Sequence, residues 1–161
     1  MAQIDIKRAT IIFRDGDSPV NEIDVKIGEG NFTWSEKKNI MYIKDRGLLD
    51  GTREGDEEPM EVSCDARWDT YLSTGAEAVT PVEAAKQQGA ASAWVSTGPA
   101  CEPYAIDLII DYDSGCGSVV DERLTFPDFR FESIDFDLRA GTIAFKGKCN
   151  AVEPTVLRTA V

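Results

Sequence analysis

The sequence predicts a mainly β chain, folded as an antiparallel sandwich or barrel with one short helix. Three observations carry that expectation. Polar and apolar residues alternate with period two, glycine-rich turns cut the chain into short runs, and one segment has helix-start chemistry. In NEIDVKIG, Ile23, Val25 and Ile27 share one face while Glu22, Asp24 and Lys26 share the other, as in a strand with one solvated side. SIDFDLRAG repeats the pattern, with Ile134, Phe136 and Leu138 opposed to Asp135, Asp137 and Arg139. Further strands are expected over 3–13, 32–35, 40–44, 60–68, 104–112, 124–132 and 142–150, with DGDSP, GEGN, SGCGS and RAG as turns.

The exception is TPVEAAKQQG. Thr80 stands at the N-cap, Pro81 at the first helical position, Glu83 at the capping-box position and Gly89 as a stop. These marks predict a helix over 80–89, too short to stand alone and therefore docked on a sheet through Val82, Ala85 and neighbouring alanines. Two stretches read as irregular, 45–59 and 90–99. The first holds six carboxylates (Asp45, Asp50, Glu54, Asp56, Glu57, Glu58), two arginines (Arg46, Arg53) and four glycine or proline residues. Such a composition predicts mobility when isolated, and long loops in compact domains either serve a function or are disordered.

With 161 residues and 42% hydrophobic content, the chain suits one core, and no repeat or linker divides it. Its 17 basic and 29 acidic residues leave a net charge of -12, which opposes a surface that grips phosphates or anionic lipid. The same charge suits a wall past which nucleic acid slides. No run approaches the roughly 18 apolar residues of a membrane span. MAQIDIKRATIIF alternates instead of showing a signal peptide's apolar core, so synthesis in the cytosol without export by that route is expected.

Cys64, Cys101, Cys116 and Cys149 include no CxxC pair, and the chain has no histidine, which disfavours zinc. Two readings of the thiols stand open. They are free in a cytosolic chain, or they cross-link a released particle, since virion surfaces can keep disulfides. Without histidine neither a Ser-His-Asp nor a Cys-His arrangement can be built, and WVSTGP lacks the G-x-S-x-G frame. Asp107, Asp111, Asp113, Asp135 and Asp137 recur at the spacing of a solvated strand face, and nothing marks a glycosidase pair among them. DYDSGCGSVVDE puts Asp111, Asp113 and Glu122 at EF-hand positions but Gly115 and Cys116 where a ligand and the turn glycine belong. No P-loop and no basic stripe interleaved with aromatics occurs. Phe32, Trp34, Tyr42, Trp68 and Tyr71 are expected to fill the core, leaving Trp94 and Tyr104 as interface candidates.

Four phrases, in order, resemble the tail tube proteins of tailed bacteriophages: GEGNFTWSEKKNIMYIKDRGLLDGTREGDEEPMEVS, DARWDTYLS, TPVEAAKQQGAASAWVSTGPACEPYAIDLIIDY and FPDFRFESIDFDLRAGTIAFKGKCNA. They cover nearly the whole chain from about Ile23, and the likeness lies in order and texture. The resemblance implies a subunit of two packed antiparallel sheets flanked by one helix. Copies join sheets into homohexameric rings that stack as a tube. It makes 45–59 the stacking loop, with Asp45, Arg46, Asp50, Arg53, Glu54, Asp56, Glu57 and Glu58 meeting the adjacent ring and Leu48 and Leu49 as apolar anchors. The first few residues and 152–161 become arms, the latter with Val152, Val156 and Leu157 lacking a partner strand. Glu22 and Asp24, or Asp135 and Asp137, become lumen-facing. No cofactor, metal or catalytic residue is implied.

The implied partners are further copies of the chain and, beyond them, tape-measure, baseplate and tail-terminator proteins and a sheath, with DNA passing through the lumen unbound. The implied location is the virion tail, assembled in the host cytoplasm. Competing readings are a related ring protein of the secretion-tube or tail-completion type, a carbohydrate-binding β-sandwich, and a hydrolase working through carboxylates.

Overall fold

In the computed structural model, residues 9–73, 78–113 and 121–159 are described. The structure is mainly β, as the alternation predicts, and every strand pairing is antiparallel. In chain order the strands are β1 (Ala9–Arg14), β2 (Glu22–Val25), β3 (Phe32–Ser35), β4 (Ile40–Asp45), β5 (Leu48–Glu54) and β6 (Met60–Arg67). They continue as β7 (Tyr71–Leu72), β8 (Ala78–Val79), β9 (Ile106–Tyr112), β10 (Asp121–Asp137), β11 (Thr142–Cys149) and β12 (Thr155–Thr159). The helix α1 (Pro81–Lys86) and a 3-10 turn (Gly89–Ala91) lie between β8 and β9.

One eight-stranded sheet runs β2-β1-β9-β10-β11-β6-β3, with β12 added to β10. The strand β10 is the corner on which this sheet doubles back. Its first half pairs β9 on one edge and β12 on the other. Its second half pairs β11, which follows β12 along the same edge. Pro127 and Asp128 make the bend. Proline has no N–H for the ladder, Asp128 has φ 52°, and its N–H is taken by the Asp107 carboxylate at 3.1 Å. The pairing with β9 shifts register at this point.

Two layers result. The first is β2, β1, β9, the N-terminal half of β10, and β12; the second is the C-terminal half of β10, β11, β6 and β3. Their inner faces meet through Phe13 against Phe145, with ring centroids 5.7 Å apart, and Phe32 against Phe126 at 5.0 Å. Residues alternate as the sequence predicts: Met60, Val62, Cys64 and Ala66 are buried along β6, and Ile143, Phe145 and Cys149 along β11. Fully burying one such side chain contributes about 1.5–3 kcal/mol.

The helix begins as its sequence predicts. Thr80 Oγ1 accepts the Glu83 N–H, Pro81 occupies the first turn, and Ala84 and Ala85 are buried. It ends earlier than the glycine suggests, because Gln87 takes the left-handed capping conformation at φ 56°. The Glu83 carboxylate also accepts the Ala90 N–H at 2.6 Å, fastening the 3-10 turn to the helix.

Three expectations fail. Residues 124–139 form no pair of separate strands, since β10 runs unbroken for 17 residues. The segment 152–161 is not partnerless, because β12 pairs with Asp121–Thr125; residues 160 and 161 lie outside the described residues. The stretch 45–59 is not simply irregular: Leu48–Glu54 is a strand hydrogen-bonded to Ile40–Asp45. The expected strand start at 3–8 and the first residues as arms lie outside the described residues.

Candidate functional site

The hairpin β4–β5 stands apart from the body. It forms its own two-stranded sheet, and every residue in both strands is exposed. Arg46 and Gly47, with φ 50° and 83°, make the two-residue turn with positive φ at both positions that matches strand twist. At the base, the Gly55 N–H donates to the Asn39 carbonyl at 2.8 Å and Lys38 meets Glu54 at 3.1 Å. The register places Ile40, Tyr42 and Leu49 on one face and Met41, Ile43 and Leu48 on the other, after a bulge between Ile43 and Lys44. Both faces therefore carry apolar side chains, beside Lys44, Thr52 and Glu54 on the first and Asp45 and Arg53 on the second. Leu48 and Leu49 are 73% and 74% exposed. An isolated hairpin is marginal in water, and one with exposed apolar side chains on both faces gains by being covered.

This arm brings Asp45, Arg46, Leu48, Leu49, Asp50, Arg53 and Glu54 onto one projection. Asp56, Glu57 and Glu58 sit in the return connection to β6, the first two beside Lys37 and Lys38. Sequence reasoning assigned the apolar role to two leucines. It missed Ile40, Met41, Tyr42 and Ile43, whose unbroken apolar run was the available signal, since a half-buried strand alternates.

The second layer has no partner strand at either side among the described residues. The strand β3 is terminal in the sheet order, and Arg130–Asp137 of β10 pairs β11 on one edge and no strand on the other. A bare edge of this length offers N–H and C=O groups to another chain.

The four acidic lumen candidates do not come together. Glu22 and Asp24 lie on the outer face of the first layer, Asp135 and Asp137 on that of the second. Glu22 meets Arg14 at 3.1 Å. Desolvation, then the neighbouring carboxylates Glu22 and Asp111, push the Asp24 carboxyl above its ordinary range. Asp111 itself is held by Arg123 through hydrogen bonds of 2.6 and 2.7 Å. Asp137 closes the β10–β11 turn by accepting the Arg139 and Ala140 N–H groups. Asp135 shares its outer face with Asp65 across Ala144.

Cys64 and Cys149 are buried, which removes both from contact with a neighbouring chain, and burial raises the thiol of each, that of Cys149 to about 12. Cys101 is exposed, and Cys116 lies outside the described residues. Asp107 is raised mainly by desolvation, but its carboxylate is engaged with the Asp128 N–H at the β10 bend, a packing role. Aromatic placement reverses part of the expectation. Trp94 is buried, and Tyr104 packs against the core with its hydroxyl donating to Ala84 O at 3.0 Å. Trp34, Tyr42 and Trp68 are exposed instead.

No family model matches the chain, and no curated protein matches it. Among solved structures, the chain is similar to one described as an extracellular contractile injection system, PVC sheath/tube terminator in its extended state, with 9% identity and a TM-score of 0.54 over 99% of each chain. At that identity the likeness is one of fold.

Proposed function

We propose that this chain is a structural subunit of a phage-tail-like tube, whose copies close into rings by pairing the bare β3 edge of one with the bare β10 edge of the next. The carrying observation is the second layer, open on both sides over Phe32–Ser35 and Arg130–Asp137. Lateral closure satisfies both rows of backbone groups and removes the aggregation hazard of an open sheet. The whole-length fold likeness to a tube terminator supports the same class of assembly.

In this reading the work is mechanical and needs no cofactor, metal or catalytic group. Six copies form each ring, as the tail tube resemblance implies, and the outer face of the second layer lines the channel with Asp65, Asp135 and Asp137. The register puts Arg67, Lys146 and Lys148 on that face together with Glu61 and these three carboxylates, so DNA passes a wall of mixed charge that offers it no continuous basic stripe. Asp45, Arg46, Leu48, Leu49, Asp50, Arg53, Glu54, Asp56, Glu57 and Glu58 contact the adjacent ring. Tape-measure, baseplate, terminator and sheath proteins are the further partners, and the particle is put together in the host cytoplasm.

The fold likeness favours a second reading, a ring that ends a tube instead of building its length. Negative-stain images of concentrated, purified protein separate the two. Long tubes are expected of a tube subunit and single rings of a terminator; stable monomers at every concentration sink both.

A further inference from the structure

The two poles of the second layer carry different apolar features. The arm leaves the body where β3 ends and β6 begins, since Ser35 pairs with Glu61. At the other end of β6, a strand of eight residues that spans roughly 23 Å, Arg67 pairs with Thr142 beside the β10–β11 turn. A cluster of exposed apolar side chains caps this far pole. The Trp68 ring lies 5.2 Å from Phe136, and the Trp68 N–H donates to Gly141 O in the turn at 2.7 Å. Leu138 enters the same turn at 84% exposure, and Leu72, on the short strand that leaves the pole, is 74% exposed. Lys86 of α1 stands 5.9 Å over the Phe136 ring.

We propose that this cap receives the β4–β5 arm of a second copy of the chain. The inference rests on the tube form of the reading above and names where the arm lands. Arm and cap lie at opposite poles of one strand, so the contact joins unlike surfaces of two copies. A contact of that kind does not close on itself and propagates head to tail. Charge favours the same occupant. Within Ile40–Glu54 the cations Lys44, Arg46 and Arg53 balance Asp45, Asp50 and Glu54, so the net charge of -12 belongs to the rest of the chain. Two bodies repel each other, whereas a neutral arm approaches an acidic body without that opposition. The apolar stripes on both faces of the arm and the apolar cap supply matching surfaces, each of a kind that marks an interaction site on a monomer.

Complementation tests the assignment. Subunits carrying Leu48→Asp and Leu49→Asp keep a working cap, and subunits carrying Leu72→Asp and Leu138→Asp keep a working arm. Each set alone is expected to melt like the wild type and to stack at least about tenfold more weakly, through loss of apolar anchors at the contact. Mixed in equal amounts, they are expected to form a single junction, seen in sedimentation velocity as a species of twice the mass that neither makes alone. A shifted melt in the cap variant is handled by the single Leu138→Asp change, which touches the most exposed of these side chains. Wild-type rings that stack, with cap variants stacking equally well or mixtures that form no junction, overturn this assignment alone. A wild type that never associates overturns the tube reading with it.

Discussion

A single carboxylate ties two distant loops together. Asp15 is buried at 1% exposure, and its oxygens accept the N–H groups of Asp17, Asn21 and Val95 and the Asn21 side-chain amide, at 2.7 to 3.2 Å. Replacing it by alanine leaves buried donors without acceptors, each costing about 1–3 kcal/mol. Asp15→Ala is therefore expected to lower the urea midpoint by an amount equivalent to about 3 kcal/mol or more, and an unchanged midpoint refutes the role. Asp24 acts in the opposite sense. Its folded-state carboxyl titrates higher than in the unfolded chain, so its contribution to stability is greatest when protonated and is lost as pH rises through the folded value. Asp24→Asn removes that ionisation. The variant is expected to melt above the wild type at neutral pH and level with it at acid pH, and a gain that grows as pH falls contradicts the assignment.

At the scale of elements, the arm and the corner strand do the organising. Among the described residues the arm makes no ladder with the body, so replacing Ile40–Glu54 by a short glycine-serine linker between Asn39 and Gly55 is expected to leave the body's melting temperature near that of the wild type. Stacking is expected to be lost, as read by electron microscopy; a deletion that unfolds the body shows that the arm belongs to the core. These two elements also show where sequence reading succeeds and stops. β2, β6 and β11 were legible because each has one wet and one dry face, β3 and β9 because GEGN and SGCGS bound them, and the Thr80-Pro81-Glu83 chemistry located α1 because capping is local. The arm's second strand was hidden: Leu48–Glu54 carries glycine and charge in a strand with no buried face to impose a pattern. The expected break between 124–132 and SIDFDLRAG falls on the irregularity between Phe131 and Ser133, a bulge inside one strand, whereas the Pro127 bend lies within the strand expected over 124–132. Tertiary pairing on both sides of the bend keeps the strand continuous. The cap residues Trp68, Phe136 and Leu138 alternate like core residues, and only their position past the end of the inter-layer core exposes them.

For the whole molecule, the central claim is that the second layer is unfinished until copies meet. Its core faces inward across the sandwich, its outer face is polar, and among the described residues both margins are bare, so association completes backbone pairing without rebuilding either layer. The net charge of -12 tempers that association by repulsion between bodies, leaving directional edge and arm contacts to decide geometry. Amide hydrogen exchange followed on peptides covering 32–35 and 130–137, in monomer and in assembled particles, measures the claim most directly. Strong protection gained by both segments together on assembly is the result expected, and assembled particles in which both edges exchange as fast as in the monomer would contradict it.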